Sequence, residues 1–193
     1  HGLSRTTDNG DTYESFGTKH GMTRGSVSGL WVSGDTILVA TAWDTLTEVS
    51  DSYLPMGTGL SISENGGATW KTVSQPGPTP VQNVTYDIEF HNNDIWIASW
   101  GGGIRKSSDN GQTWSPVTPD GRRYDVLGYE NHRGFSLLSE NDNLWLGTAG
   151  GLGKFTPADT ILYSFREGGN SISGNWIIGL YHQETTGWVW AIT

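Results

Sequence analysis

The sequence predicts an all-β chain built as an array of similar four-stranded antiparallel units, and two independent repeats predict it. One is a short frame, Ser/Thr-x-Asp/Asn-x-Gly-x-Thr-aromatic, which occurs at Thr6–Tyr13, Ser63–Trp70 and Ser107–Trp114. The other is an apolar strand ending in small residues, at 37–41, 95–99, 144–148 and 189–193, recurring at intervals of 45 to 58 residues. Fixed-period self-similarity of this kind marks repeat architectures rather than one irregular domain. The 28 glycines, 10 tryptophans and 16% charged residues suit many short strands joined by tight turns, and no long helical pattern interrupts them.

The chemistry of the frame explains its residues. The carboxylate or amide of Asp8, Asn65 or Asp109 accepts hydrogen bonds from N–H groups of its own turn. Gly10, Gly67 and Gly111, two positions later, supply the positive φ that closes it. Tyr13, Trp70 and Trp114 then start the next strand and are expected to be buried. A calcium-loop reading of Asp8-Asn9-Gly10-Asp11 fits poorly, since it lacks the later carboxylates such a loop needs. The three segments resemble the Asp box, or bacterial neuraminidase repeat, of sialidases, xyloglucanase-type glycosidases, sortilin-like receptors and the photosystem II assembly propeller. That resemblance implies a β-propeller in which the box joins the third and fourth strands of a blade, away from the ligand face, so that these residues are structural. The stretch Asn143–Leu152, with Ser171–Asn175 and Trp188–Trp190, is similar to the two-component-regulator propeller repeat, which builds periplasmic sensors.

Each unit is divided into strands a to d. The first strands lie near 26–33, 84–91, 134–140 and 175–182. The second are the four apolar copies, whose near-continuous apolarity reflects burial of both faces between neighbouring blades. The third lie near 2–6, 59–63, 103–107 and 151–155, and the fourth near 12–16, 69–73, 113–117 and 160–165. The expectation is a single propeller domain over 1–193, with blades at about 26–73, 84–117 and 134–165 and a fourth blade split between 1–16 and 175–193. The halves close one ring within the chain, exchange between two copies to give eight blades, or belong to a larger ring built with more blades of the same precursor. Intramolecular closure is the arrangement expected, with 2–6 and 12–16 pairing onto 187–193.

Charge and composition then exclude classes. A formal net charge of −9 opposes nucleic acid. There is no cysteine, which removes disulfides and thiol sites. No apolar run is long enough to span a bilayer. His20, His91, His132 and His182 show no metal-ligand spacing, so neither metal nor cofactor is expected. Asn83-Val84-Thr85 has the form of a glycosylation sequon.

Loops on a rigid scaffold carry function, and two long segments stand on the d–a and b–c face. Residues 42–58 hold Trp43 and Asp44 with Glu48, Asp51 and Tyr53, a mixture suited to stacking and hydrogen-bonding a sugar. Residues 118–133 hold Arg122, Arg123, Tyr124, His132 and Arg133, where forked guanidinium groups suit a carboxylate or phosphate. Trp100, just after the second apolar copy, is the aromatic expected at the channel mouth. For each residue the alternative is a solvated loop packed on neighbouring blades. The expected function is an exported, non-catalytic module binding a glycan or protein ligand. One alternative is a glycoside hydrolase drawing its carboxylate pair from Asp44, Glu48, Asp51 and Glu130, although the arginine signature of sialidases is missing. The other is a structural or assembly propeller.

Overall fold

The computed structural model describes residues 2–48, 51–167, 169 and 171–193; His1, Val49, Ser50, Gly168 and Asn170, which fall in the first half-blade, the 42–58 segment and the approach to the last strands, lie outside the described residues. Among the described residues the structure is all-β apart from two single-turn 3-10 helices, at Thr18–His20 and Glu130–His132. It opens with β1 (Leu3–Arg5) and β2 (Glu14–Phe16). Three antiparallel four-stranded sheets follow in meander order. The first is β3 (Ser26–Ser33), β4 (Thr36–Thr47), β5 (Ser52–Ser63) and β6 (Lys71–Val73). The second is β7 (Thr85–His91), β8 (Asp94–Ser99), β9 (Gly103–Ser107) and β10 (Ser115–Val117), and the third is β11 (Gly134–Glu140), β12 (Asn143–Thr148), β13 (Gly151–Phe155) and β14 (Thr160–Tyr163). The hairpin β15 (Gly179–Gln183) and β16 (Trp188–Ile192) ends it.

The apolar copies are the second strands, and their burial shows why alternation disappears there. Ile37, Leu38, Val39 and Ala40 are all buried, as are Ile95, Trp96, Ile97 and Ala98, because one face packs forward and the other backward. Leu38, Ala40, Leu60 and Ile62 of the first sheet meet Ile88, Ile95 and Ile97 of the second. Trp96, Ala98 and Ile104 of the second meet Leu137, Leu144 and Leu146 of the third. The sheets are also joined by side-chain hydrogen bonds across the gap. Asp87 accepts from Leu137 N–H at 2.8 Å, Glu89 accepts from Ser139 N–H at 3.3 Å and from Trp31 Nε1 at 3.0 Å, and Ser136 Oγ donates to Ile177 O at 3.3 Å.

The repeated frame closes the turn between third and fourth strands in the first half-sheet and in the first two complete sheets. In the second sheet Ser107 Oγ donates to Asp109 Oδ1 and accepts Gly111 N–H, both at 2.8 Å, while Thr113 gives its N–H to Oδ1 at 2.8 Å and its hydroxyl to Oδ2 at 2.6 Å. Gly111 has the φ of 82° that the turn requires. Asp8 is held in the same way by Thr6 and Thr12. Asn65 keeps the pattern with its last bond reversed, Nδ2 donating to Thr69 Oγ1 at 2.8 Å. Hydrogen bonds from Thr113 and Thr12 lower the carboxyls of Asp109 and Asp8 to about 2.

Three expectations are corrected, and the sequon form at Asn83 is placed. The half-sheets β1–β2 and β15–β16 are two separate two-stranded sheets, with no pairing between them. The reason is that each is anchored elsewhere: Phe16 and Met22 pack on Ile37 and Val39 of the first sheet, whereas β15 is tied through Ile177 to Thr148 and Ser136 of the third. Residues 42–47 and 52–57 are not loop but extensions of β4 and β5, a long hairpin arm whose far strand is held by Gly57 N–H on Pro80 O and Gln82 N–H on Pro55 O. Tyr13 is 66% exposed rather than buried, while Trp70 and Trp114 are half-buried against core clusters. Asn83 is fully buried, with Nδ2 donating to Pro76 O at 2.8 Å and Thr79 O at 3.0 Å, so the folded chain offers no amide for a glycan.

Candidate functional site

Strands a and b of each complete sheet share an irregularity. Their register shifts between Val27 and Gly29, between Thr85 and Asp87, and between Gly134 and Ser136. The extra residues are Ser28, Tyr86 and Phe135. A bulge leaves its residue unpaired and re-aims the side chain, and bulges recur beside functional sites. All three lie at the end of the sheets where strand a begins and strand b finishes, the end that also carries Trp100.

Four aromatic rings meet there. Trp100 lies 5.5 Å from Phe135 and 5.6 Å from Trp176, Phe135 lies 5.6 Å from Trp176, and Tyr86 lies 5.9 Å from Phe135. Interplanar angles of 34–52° are tilted contacts, with half-buried Phe135 at the centre against the other three rings. Trp176 is 52% and Tyr86 41% exposed, which makes them the open part of the platform. Burial raises the Tyr86 phenol above its ordinary range, so at neutral pH it remains a hydrogen-bond donor.

The 118–133 segment folds onto this platform. Tyr124 Oη donates to Gly101 O at 2.6 Å, and Arg133 lays its guanidinium 5.0 Å from the Trp100 ring while Nε donates to Val126 O at 2.8 Å. His132 is the pin inside the segment. Its Nδ1 accepts Asp125 N–H at 3.0 Å, so Nε2 carries the proton and donates to Asp120 Oδ1 at 2.9 Å. Burial pushes the Asp120 carboxyl up, but hydrogen bonds from His132, Asn131 and Arg122 N–H outweigh it and hold it at about 2. The His132 ring is 1% exposed between Tyr124 and Tyr129. His132, expected to bind ligand, therefore cannot touch one, since both nitrogens are spent on the loop.

The remaining candidates separate. Arg122, Arg123 and Tyr124 line one cleft of about 400 Å3 together with Asp125 and Tyr129. Trp43 and Asp44 stay on the hairpin arm of the first sheet, where Trp43 stacks under Arg24 with the guanidinium 3.2 Å from its ring centroid. The carboxylates of the catalytic alternative are carried on that arm and, for Glu130, on the loop before β11. Tyr86, Phe135 and Trp176 were missed from sequence. A bulge is a relation between two strands, and a lone aromatic near a strand start carries no local mark of it.

No protein-family model matches the chain, and no curated protein matches it. Solved structures do. The extracellular domain of a hybrid two component system protein from B. thetaiotaomicron aligns over 98% of this chain with a TM-score of 0.68 at 15% identity. An ancestral GH74 enzyme aligns over 98% with a TM-score of 0.64 at 19% identity. The fold is that of a β-propeller. YCF48 bound to D1 peptide aligns over 83% of the chain with a TM-score of 0.50 at 17% identity. This propeller chain spans 23% and 24% of the length of the first two structures and 46% of the third. Among the described residues, no helix is long and apolar enough to cross a membrane.

Proposed function

We propose that this chain carries the ligand-binding face of a non-catalytic β-propeller working outside the cytoplasm, and that the ligand is a glycan. The observation that carries this reading is the convergence of Tyr86, Trp100, Phe135 and Trp176 from three successive sheets onto one loop-bearing end. Flat apolar rings with polar edges suit the faces of sugar rings, and two of the four are open to solvent without any rearrangement. The extracellular placement of the B. thetaiotaomicron domain supports the compartment, and the D1 peptide on YCF48 makes a protein segment the other occupant to test.

Titration of the chain against neutral and acidic oligosaccharides and a peptide array, read by tryptophan fluorescence and calorimetry, tests it. Trp176→Ala or Tyr86→Ala should weaken glycan binding by about 1–3 kcal/mol, the range of a true hot spot. Binding of peptides alone, or glycan binding unmoved by both substitutions, would refute the platform. Sugar release by the wild type that disappears in Asp44→Asn or Glu130→Gln would replace it with the hydrolase reading.

A further inference from the structure

Positive charge is concentrated beside the platform of an acidic chain. Arg122, Arg123 and Arg133 lie within twelve positions of one another, in a protein of net charge −9. Their bonding is incomplete. Arg123 is exposed with no protein acceptor among the described residues. Arg122 is held loosely, over the Tyr129 ring at 4.9 Å and 3.9 Å from Asp120. Arg133, over the Trp100 ring, spends Nε on Val126 O and Nη2 on Leu127 O, which leaves Nη1 without a protein acceptor among the described residues.

Arg122 has the Asp120 carboxylate 3.9 Å away, whereas neither Arg123 nor Arg133 forms an ion pair among the described residues. Asp125, on the cleft wall, accepts N–H bonds from Leu127 and Gly128, and Asp120 accepts from His132 and from Arg122 N–H. Glu130 lines an adjoining cleft with Tyr163 and Ser164, a cleft that Arg122 also borders. The cleft and the platform are one surface, because Tyr124 walls the cleft and bonds Gly101 beside Trp100, while Arg133 ties residues 126 and 127 to the Trp100 ring.

We infer that the ligand is an acidic saccharide, whose ring faces lie on Tyr86 and Trp176 while its carboxylate or sulfate groups take Arg133 Nη1 and the Arg122–Arg123 cleft. The inference rests on the glycan reading above and adds its charge. Guanidinium groups already stacked on aromatic rings lose little freedom on pairing, and their planar donors match both kinds of anionic oxygen. The rest of the surface repels polyanions, so affinity for one must arise locally.

Three probes separate the outcomes: oligogalacturonate, sulfated dextran oligosaccharide and neutral dextran oligosaccharide, each titrated by calorimetry at two salt concentrations. Expected is binding of one or both acidic probes at least about tenfold tighter than the neutral one, reduced by salt. Arg123→Ala and Arg122→Ala/Arg123→Ala should erase that preference by about tenfold or more, as loss of charge-assisted hydrogen bonds does. Both side chains are exposed, and circular dichroism verifies that the variants fold. Which acidic probe binds decides between carboxylate and sulfate. Equal affinity for acidic and neutral probes, or arginine variants that keep the preference, would overturn the inference while leaving the platform standing. Failure of all three probes would overturn both.

Discussion

Asp87 offers the sharpest test of how the sheets are held together. It stands on β7, beside the bulge, and its two oxygens accept Ile88 N–H at 2.9 Å and Leu137 N–H at 2.8 Å, the second from the next sheet. Burial pushes its carboxyl up to about 6, helped by the charge of Glu89, while the two N–H bonds pull the other way without prevailing. The folded value lies above the unfolded one of about 3.8, so the folded chain binds more protons between pH 4 and 6. The Asp87 contribution is therefore fully favourable below the unfolded value and is lost as pH rises through the folded one. A shift of about two units, at about 1.4 kcal/mol each, amounts to about 3 kcal/mol at most.

Asp87→Asn isolates this effect, because its amide cannot titrate and every other group cancels in the difference. The amide accepts one N–H where the carboxyl accepts two, a constant deficit of about 1–3 kcal/mol at all pH values. On top of it, the wild-type advantage should shrink by about 2–3 kcal/mol from pH 4 to pH 7. Urea unfolding followed by tryptophan fluorescence at unit pH steps measures both. A difference that stays flat across that range, or grows with pH, would show that the inter-sheet N–H bonds outweigh burial and that the reasoning fails.

Two further outcomes follow from the same geometry. Asp109→Ala should lower the melting temperature without touching glycan affinity, since the turn it ties lies at the opposite end from the platform; its contribution is present above pH 4 and fades as pH falls through about 2, so the gap from wild type should close in acid. Asn83→Ala should cost about 1–3 kcal/mol for each of the two carbonyls left unpaired in the buried pocket it shares with Gln75 and Thr85, and mass spectrometry of the chain expressed through a secretory pathway should find Asn83 unmodified.

What the sequence by itself determined is what local chemistry dictates. The Thr-Asp-Gly-Thr pattern specifies its turn because every bond of it lies within five residues, as at Ser107–Thr113. The copies at 37–41, 95–99 and 144–148 read as doubly buried strands because two neighbours leave no polar face, and the acidic chain with an arginine-rich d–a segment was visible in composition alone.

Tertiary structure decided the rest, because it depends on residues far apart in the chain. Residues 42–58 read as a loop, yet β4 and β5 stay paired from Ala42↔Gly57 to Thr47↔Ser52, and a bridge from Met56 to Val81 braces the arm. His132 looks like a ligand-binding histidine until Asp120, Asp125 and two tyrosines enclose it. Tyr86 and Phe135 become a platform through a register shift between strands, which no single segment encodes. Trp96 and Trp190 occupy the same place in the repeat, yet one is 8% and the other 52% exposed. Trp96 packs against Leu137, Leu144 and Leu146 of the third sheet, and the burial of a side chain is a property of its neighbours rather than of its own segment.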